Sequence, residues 1–278
     1  MRRPYPGALG ERLDPTRRPD SWGSRGFSRA ARWATAVVAL VATAVRPGAI
    51  RADTPALLDP NLQVTTVVGS GINQPIGVLF LPPVAPVASD MLILEKASGR
   101  VLRVLDGVLQ ANPVLDLPVN SNSERGLLSL VPHPAFPANP SVYIRWTESS
   151  TGADSAVASE VPLTGNRVDR FVWDGSTLTF AQPILRLRSR QNDAGQPERG
   201  NHNGGVMKFG PDGKLYLFMG DQGRRGWMQN LPNGPFLPPA PDDQYGGPAP
   251  DDAHLSGVIL RLNDDGTAPI DNPFFAVG

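Results

Sequence analysis

Residues 200–223 read GNHNGGVMKFGPDGKLYLFMGDQG. Two short apolar runs, residues 206–210 and Leu215 to Met219, flank Pro211-Asp212-Gly213. Proline presets φ for a turn and glycine accepts a positive φ, so the stretch reads as two antiparallel strands joined tightly. Such a hairpin returns its second strand to the end at which the first began. Asp221, closing the second run, is thereby expected beside His202, which opens the first. The asparagines and glycines around His202 tolerate left-handed and close-approach backbone, so NHNGG can present an imidazole at a strand entrance.

Working outward, the same design recurs. DMLILEKASGRVLRVLDG (90–107) reads as two strands joined at ASGR, the second running from Val101 to Leu105. SVYIRWTE (141–148) and NRVDRFVWDGSTLTF (166–180) read as a strand, a loop and a hairpin turning at Asp174-Gly175. LSGVILRLNDDG (255–266) is a further strand. The runs are short, β-branched and closed by turn residues, which is a strand pattern rather than a helical one. Three units emerge, at about 74–109, 127–180 and 204–267. Several strands per unit at this spacing mark a β-propeller, whose ring takes four to eight blades. The expected fold is therefore all-β, a propeller with about three blades present. The closing DNPFFAVG reads as a linker to a further blade.

Bulk composition agrees with a loop-rich globular body. The 278 residues include 30 prolines and 29 glycines, with 40% hydrophobic residues and no cysteine. Disulfides and thiolate metal sites are excluded. The formal net charge of zero divides unevenly: residues 1–52 hold ten arginines against three acids, and the remainder is acidic by the same margin. An acidic body cannot neutralise phosphates, so nucleic acid is not an expected partner. The basic segment runs into the apolar stretch Trp33 to Val45, thirteen residues, too short for a bilayer span of about 20. A basic region, a short apolar core and small residues through Ala52 fit a secretory signal over about 29–52. The expected organisation is a signal-like region, 1–52, and a partial propeller, 53–278, in a periplasmic or secreted protein.

Among chemistry-bearing residues, His202 and Asp221 form the main candidate pair, since a carboxylate beside an imidazole fixes its tautomer for proton transfer. Glu124, in SNSERGLLSL, stands at another inner-strand entrance. His133, between Pro132 and Pro134, reads as a structural loop residue, and His254 as structural or solvated. The acid-rich PDDQYGGPAPDD (241–252) lacks the ligand spacing of a calcium loop and reads as a solvated excursion. Arg224 and Arg225 read as surface residues, and no metal ligand is assigned.

Three motifs in order, SERGLLSLVPHPAFPANPSVYI, HNGGVMKFGPDGKLYLFMGDQG and LSGVILRLNDDGTAPIDNPFF, resemble the soluble quinoprotein glucose/sorbosone dehydrogenase family. The resemblance covers about 64–275 and implies a six-bladed propeller that binds pyrroloquinoline quinone and calcium. The implied reaction oxidises the C1 hydroxyl of aldoses, with electrons passing to an external acceptor, and a homodimer is compatible with it. By position, His202 is implied as general base, Asp221 as the acid orienting it, and Glu124 and Asn201 as substrate-side residues. Family members commonly carry Gln at position 124, Asp at 201 and Gln at 226, where this chain has Glu, Asn and Gly. The quinone and calcium contacts are expected on later blades, downstream of Gly278, so that the chain reads as an N-terminal part of the ring. Two other readings stay open: a secreted propeller that binds a protein or glycan partner without catalysis, and a calcium-dependent lactonase-type propeller.

Overall fold

The computed structural model describes residues 57–82, 86–190, 200–223, 255–273 and 275. The basic N-terminal region, His254, Arg224, Arg225, Gly226 and the 241–252 excursion lie outside the described residues. Every regular element described is a strand, and the strands form three antiparallel sheets in chain order.

The first sheet holds β1 (Pro75–Leu81), β2 (Asp90–Glu95), β3 (Arg100–Leu105) and β4 (Val108–Leu109), with β5 (Leu115–Asp116) also paired to β3. The second holds β6 (Leu127–Pro132), β7 (Ser141–Thr147), β8 (Asn166–Trp173) and β9 (Leu178–Leu187). The third holds β10 (Met207–Phe209), β11 (Leu215–Met219) and β12 (Val258–Leu262). Each sheet is a simple up-and-down meander, and the first strands adjoin one another, β1 against β6 and β6 against β10. These are three consecutive propeller blades, and they correspond to the three units read from the sequence. The second blade runs past the expected end at Phe180. Its edge strand β9 continues through Pro183, with register shifts near Val168 and Arg170 that absorb the residue lacking an N–H.

Why the blades stack is clearest at β7, all seven residues of which are buried. Side chains alternate faces along a strand. Val142, Ile144 and Trp146 enter a core with Leu81, Leu92, Leu94 and Val101 of the first blade. Tyr143, on the opposite face, enters a second core with Met207, Leu215, Leu217, Met219 and Leu262 of the third. A strand covered on both faces needs apolar residues through its middle, which SVYIRWT supplies from Val142 to Trp146 except at Arg145, with the polar Ser141 and Thr147 at its ends. Polar contacts fix the stacking. Arg103 of β3 pairs with Asp90 at 2.6 Å, lies over the Trp173 ring and donates to the Gly175 carbonyl of the next blade.

Blade-to-blade packing should therefore carry the stability. Ile144→Ala, at a position with no solvent exposure, is expected to cost about 2–5 kcal/mol in denaturant unfolding of the full chain. Ile259→Ala, at a position 67% exposed on β12, should fall within about 0.5 kcal/mol of the parent. Equal losses at the two positions would contradict this assignment of the core.

Candidate functional site

The hairpin turn forms as its residues require. Gly213 N–H donates to the Gly210 carbonyl, Lys214 N–H to the Asp212 side chain, and Gly213 has φ +72°. Pairing of Met207 with Leu217 and Phe209 with Leu215 then returns the chain to the end where β10 began. His202 and Asp221 meet there, with Nδ1 of the imidazole 2.6 Å from Oδ1 of the carboxylate. The same Oδ1 accepts the Gly223 N–H at 2.9 Å. An ionised carboxylate only accepts, so the imidazole proton in this contact sits on Nδ1, and Nε2 of the neutral ring is left as an acceptor. The imidazole is about half exposed and the carboxylate largely covered.

The backbone beneath this pair is held under constraint. His202 has φ +54° and Gln222, next to Asp221, has φ +56°. Left-handed backbone at non-glycine residues costs about 1–3 kcal/mol each and persists only where surrounding contacts impose it. Those contacts are present. His202 N–H donates to Glu124 Oε2 at 2.5 Å. Asn203, fully buried, donates its amide to the Gly200 carbonyl. Its Oδ1 accepts from Asn166 Nδ2 at 2.8 Å and from Gln222 Nε2 at 3.3 Å. One amide thus joins the residue after His202 to the residue after Asp221. Gly220 completes the fit, because a Cβ there would lie 1.9 Å from the His202 carbonyl oxygen.

Glu124 belongs to the same site, but the structure gives one of its oxygens to the His202 backbone. Its loop is anchored by Lys96, whose Nζ donates to the carbonyls of Ser121 and Ser123 at 3.1 and 2.9 Å. Burial pulls the Lys96 ammonium below its ordinary value, and the Glu124 charge works against that shift. Asn201 is half-buried, adjacent to His202 in the chain. His133 lies apart: Nδ1 accepts the Ala135 N–H, and the ring packs edge-on against Phe209. Asn203, Gln222, Asn166 and Lys96 were not among the residues singled out from sequence. Arg125 was also missed: its guanidinium donates to Ser189 and Ala158 carbonyls, and a Cβ at Gly200 would overlap it. No signal in the sequence marks Asn203: a second asparagine in a polar, glycine-rich loop reads as solvated, whereas the structure buries it. Among the described residues no group of three or more His, Cys, Asp or Glu is placed to hold a metal ion.

Gly220→Ala should separate steric fit from turn conformation. It is expected to cost about 1–3 kcal/mol and to push the His202 carbonyl away, breaking the His202–Asp221 contact. Gly213→Ala, which has open space but positive φ, should cost about 1–2 kcal/mol and leave the contact intact. Denaturant unfolding gives the first quantity, and the hydrogen-bonded imidazole N–H proton, followed by NMR, reports the second.

Comparison with known proteins identifies the family. Residues 72–277 match the family model described as Glucose / Sorbosone dehydrogenase. Quinoprotein glucose dehydrogenase B of Acinetobacter calcoaceticus is 32% identical over 215 residues, which make up 75% of this chain and 41% of that protein. Among solved structures, an oxidoreductase of Thermus thermophilus described as a glucose dehydrogenase superposes with a TM-score of 0.54 at 30% identity, over 77% of this chain and 51% of that one. The quinone-bound aldose sugar dehydrogenase of Streptomyces coelicolor gives 0.51 at 26% identity, over 76% and 51%. The chain thus spans about half the length of these relatives. With three blades in sequence and a match across 72–277, the chain belongs to the glucose/sorbosone dehydrogenase family.

Proposed function

We propose that this chain carries the proton-accepting part of an aldose oxidation, in which the C1 hydroxyl becomes the carbonyl of a lactone. The observation carrying the proposal is the His202–Asp221 contact at Nδ1, which leaves Nε2 of a half-exposed imidazole as the acceptor. As the C1 hydroxyl is oxidised, its proton passes to Nε2, and the imidazolium that forms is stabilised by Asp221. The imidazole later returns that proton to water. Glu124 holds the His202 backbone, so the base does not swing away from its carboxylate. Asn201, beside His202, faces the substrate in this reading.

Pyrroloquinoline quinone, with calcium, is proposed as the oxidant on kinship, with an external acceptor taking the electrons onward. The residues described do not make a cradle for so anionic a group. Near the dyad Lys96 donates to Ser121 and Ser123, Arg125 to Ser189 and Ala158, and Arg145 to Asn203 and Phe218. What these residues account for is the base. Export to the periplasm or beyond belongs to the same proposal and rests on the apolar segment that follows the arginine-rich region.

General-base catalysis is worth about 10²–10⁴-fold. In a ring completed with a relative's later blades and supplied with quinone, His202→Ala should lower turnover of an aldose by that order, with quinone affinity, measured by fluorescence titration, unchanged. Asp221→Asn should lower it less, because the base survives. His133→Gln should alter thermal stability and leave the rate alone. Turnover of the His202→Ala protein at the parent rate would remove His202 from the mechanism.

A further inference from the structure

Arg145 is the one charged residue of β7, and it points to the third-blade side of that strand, on the face that carries Tyr143. It is 1% exposed. Burial lowers its ordinary value to about 10, which leaves it cationic at neutral pH. Its hydrogen-bond acceptors are all uncharged. One terminal nitrogen donates to the Phe218 carbonyl at 3.1 Å, and the other to the Asn203 carbonyl and to the Met219 sulfur. Nε is buried with no partner among the described residues. Taking a cation from water costs several kcal/mol where no counter-charge repays it. A methionine or leucine would fill the same strand position at less cost, so packing alone does not account for an arginine.

What the guanidinium touches supplies the account. Asn203 directly follows His202. Phe218 and Met219 end the strand that leads through Gly220 to Asp221. One planar fork therefore grips both chain segments of the dyad from below, with two nitrogens at fixed separation. Asn203 and Gln222 join the same segments by side chains alone, whereas Arg145 joins them by their main chain. A main-chain grip constrains φ and ψ directly, which suits a segment where His202 sits at φ +54°. Neither contact leaves the arginine free to approach a ligand.

We infer that Arg145 is a positioning residue, whose buried fork sets the separation of His202 and Asp221 by binding the carbonyls of Asn203 and Phe218. The inference rests on His202 and Asp221 being the working pair. Its test needs no turnover, so failure of the positioning role and failure of the aldose-oxidation reading are told apart.

The test follows two protons by NMR in the full chain, without quinone or sugar: the His202 imidazole N–H bound to Asp221, and the Trp146 indole N–H. The indole donates to Asp169 at 2.7 Å on the opposite face of the same strand, which makes it an internal control. Arg145→Met removes the fork, and Arg145→Lys keeps the charge but not the planar pair of donors. In both variants, solvent exchange of the imidazole proton should quicken by roughly tenfold or more, the loss expected for one buried hydrogen bond. Exchange of the indole proton should stay within about twofold. Where Arg145→Met does not fold, Arg145→Lys alone decides. An unchanged imidazole exchange rate would overturn the inference. So would an indole rate that rises by the same factor, since Arg145 would then only be holding the sheets together.

Discussion

The side-chain amide of Asn203 is the joint on which the site depends. It is fully buried and holds Gly200, Asn166 and Gln222 at once. A buried amide left without partners costs about 1–3 kcal/mol, so the network tolerates little partial opening. That cost is what keeps His202 and Gln222 in left-handed backbone and their neighbours in contact. A half-exposed imidazole on an ordinary loop would sample several rotamers. On this loop its Nδ1 is tied to a carboxylate and its backbone N–H to Glu124.

The joint is placed by sheet packing. β7 is buried on both faces, so its alternate residues reach two different cores. The face toward the third blade carries Arg145 to the underside of the His202 loop. Asn166, at the start of β8, pairs with Thr147 at the end of β7 and reaches the same loop. The second blade thus supplies the floor beneath His202 and Asp221, which belong to the third. Lys96, just past the end of β2, and Glu124, before β6, extend the support to the first blade. Direct and indirect supports from three consecutive blades thus hold the loop that carries His202, the kind of rigid backing that preorganised chemistry needs.

Much of this was legible beforehand. The PDG turn and two apolar runs were enough to bring Asp221 to His202, since hairpin geometry leaves the chain little choice. The blades followed from strand patterns and their spacing, and His133 proved to be a packed loop residue. What the sequence did not disclose depends on contacts between distant segments. Arg145 looked like one charge in an apolar strand, and nothing local says that its acceptors lie 58 and 73 residues away. Glu124 was set on the substrate side by family position, yet one of its oxygens serves the His202 backbone. β9 continues beyond Phe180, past where the sequence reading ended it, and its edge position is what admits Pro183.

The central claim is that Asp221 fixes His202 with its proton on Nδ1 and leaves Nε2 to accept another. The ¹⁵N chemical shifts of the two ring nitrogens, measured in the full chain at a pH where the ring is neutral, test it most directly. With three histidines in the sequence, His202→Ala assigns the signals. The account predicts a protonated-type shift at Nδ1 and an unprotonated-type shift at Nε2, with the preference lost in Asp221→Asn. A neutral ring carrying its proton on Nε2 in the parent protein would contradict the account, because the nitrogen said to take the substrate proton would already be occupied.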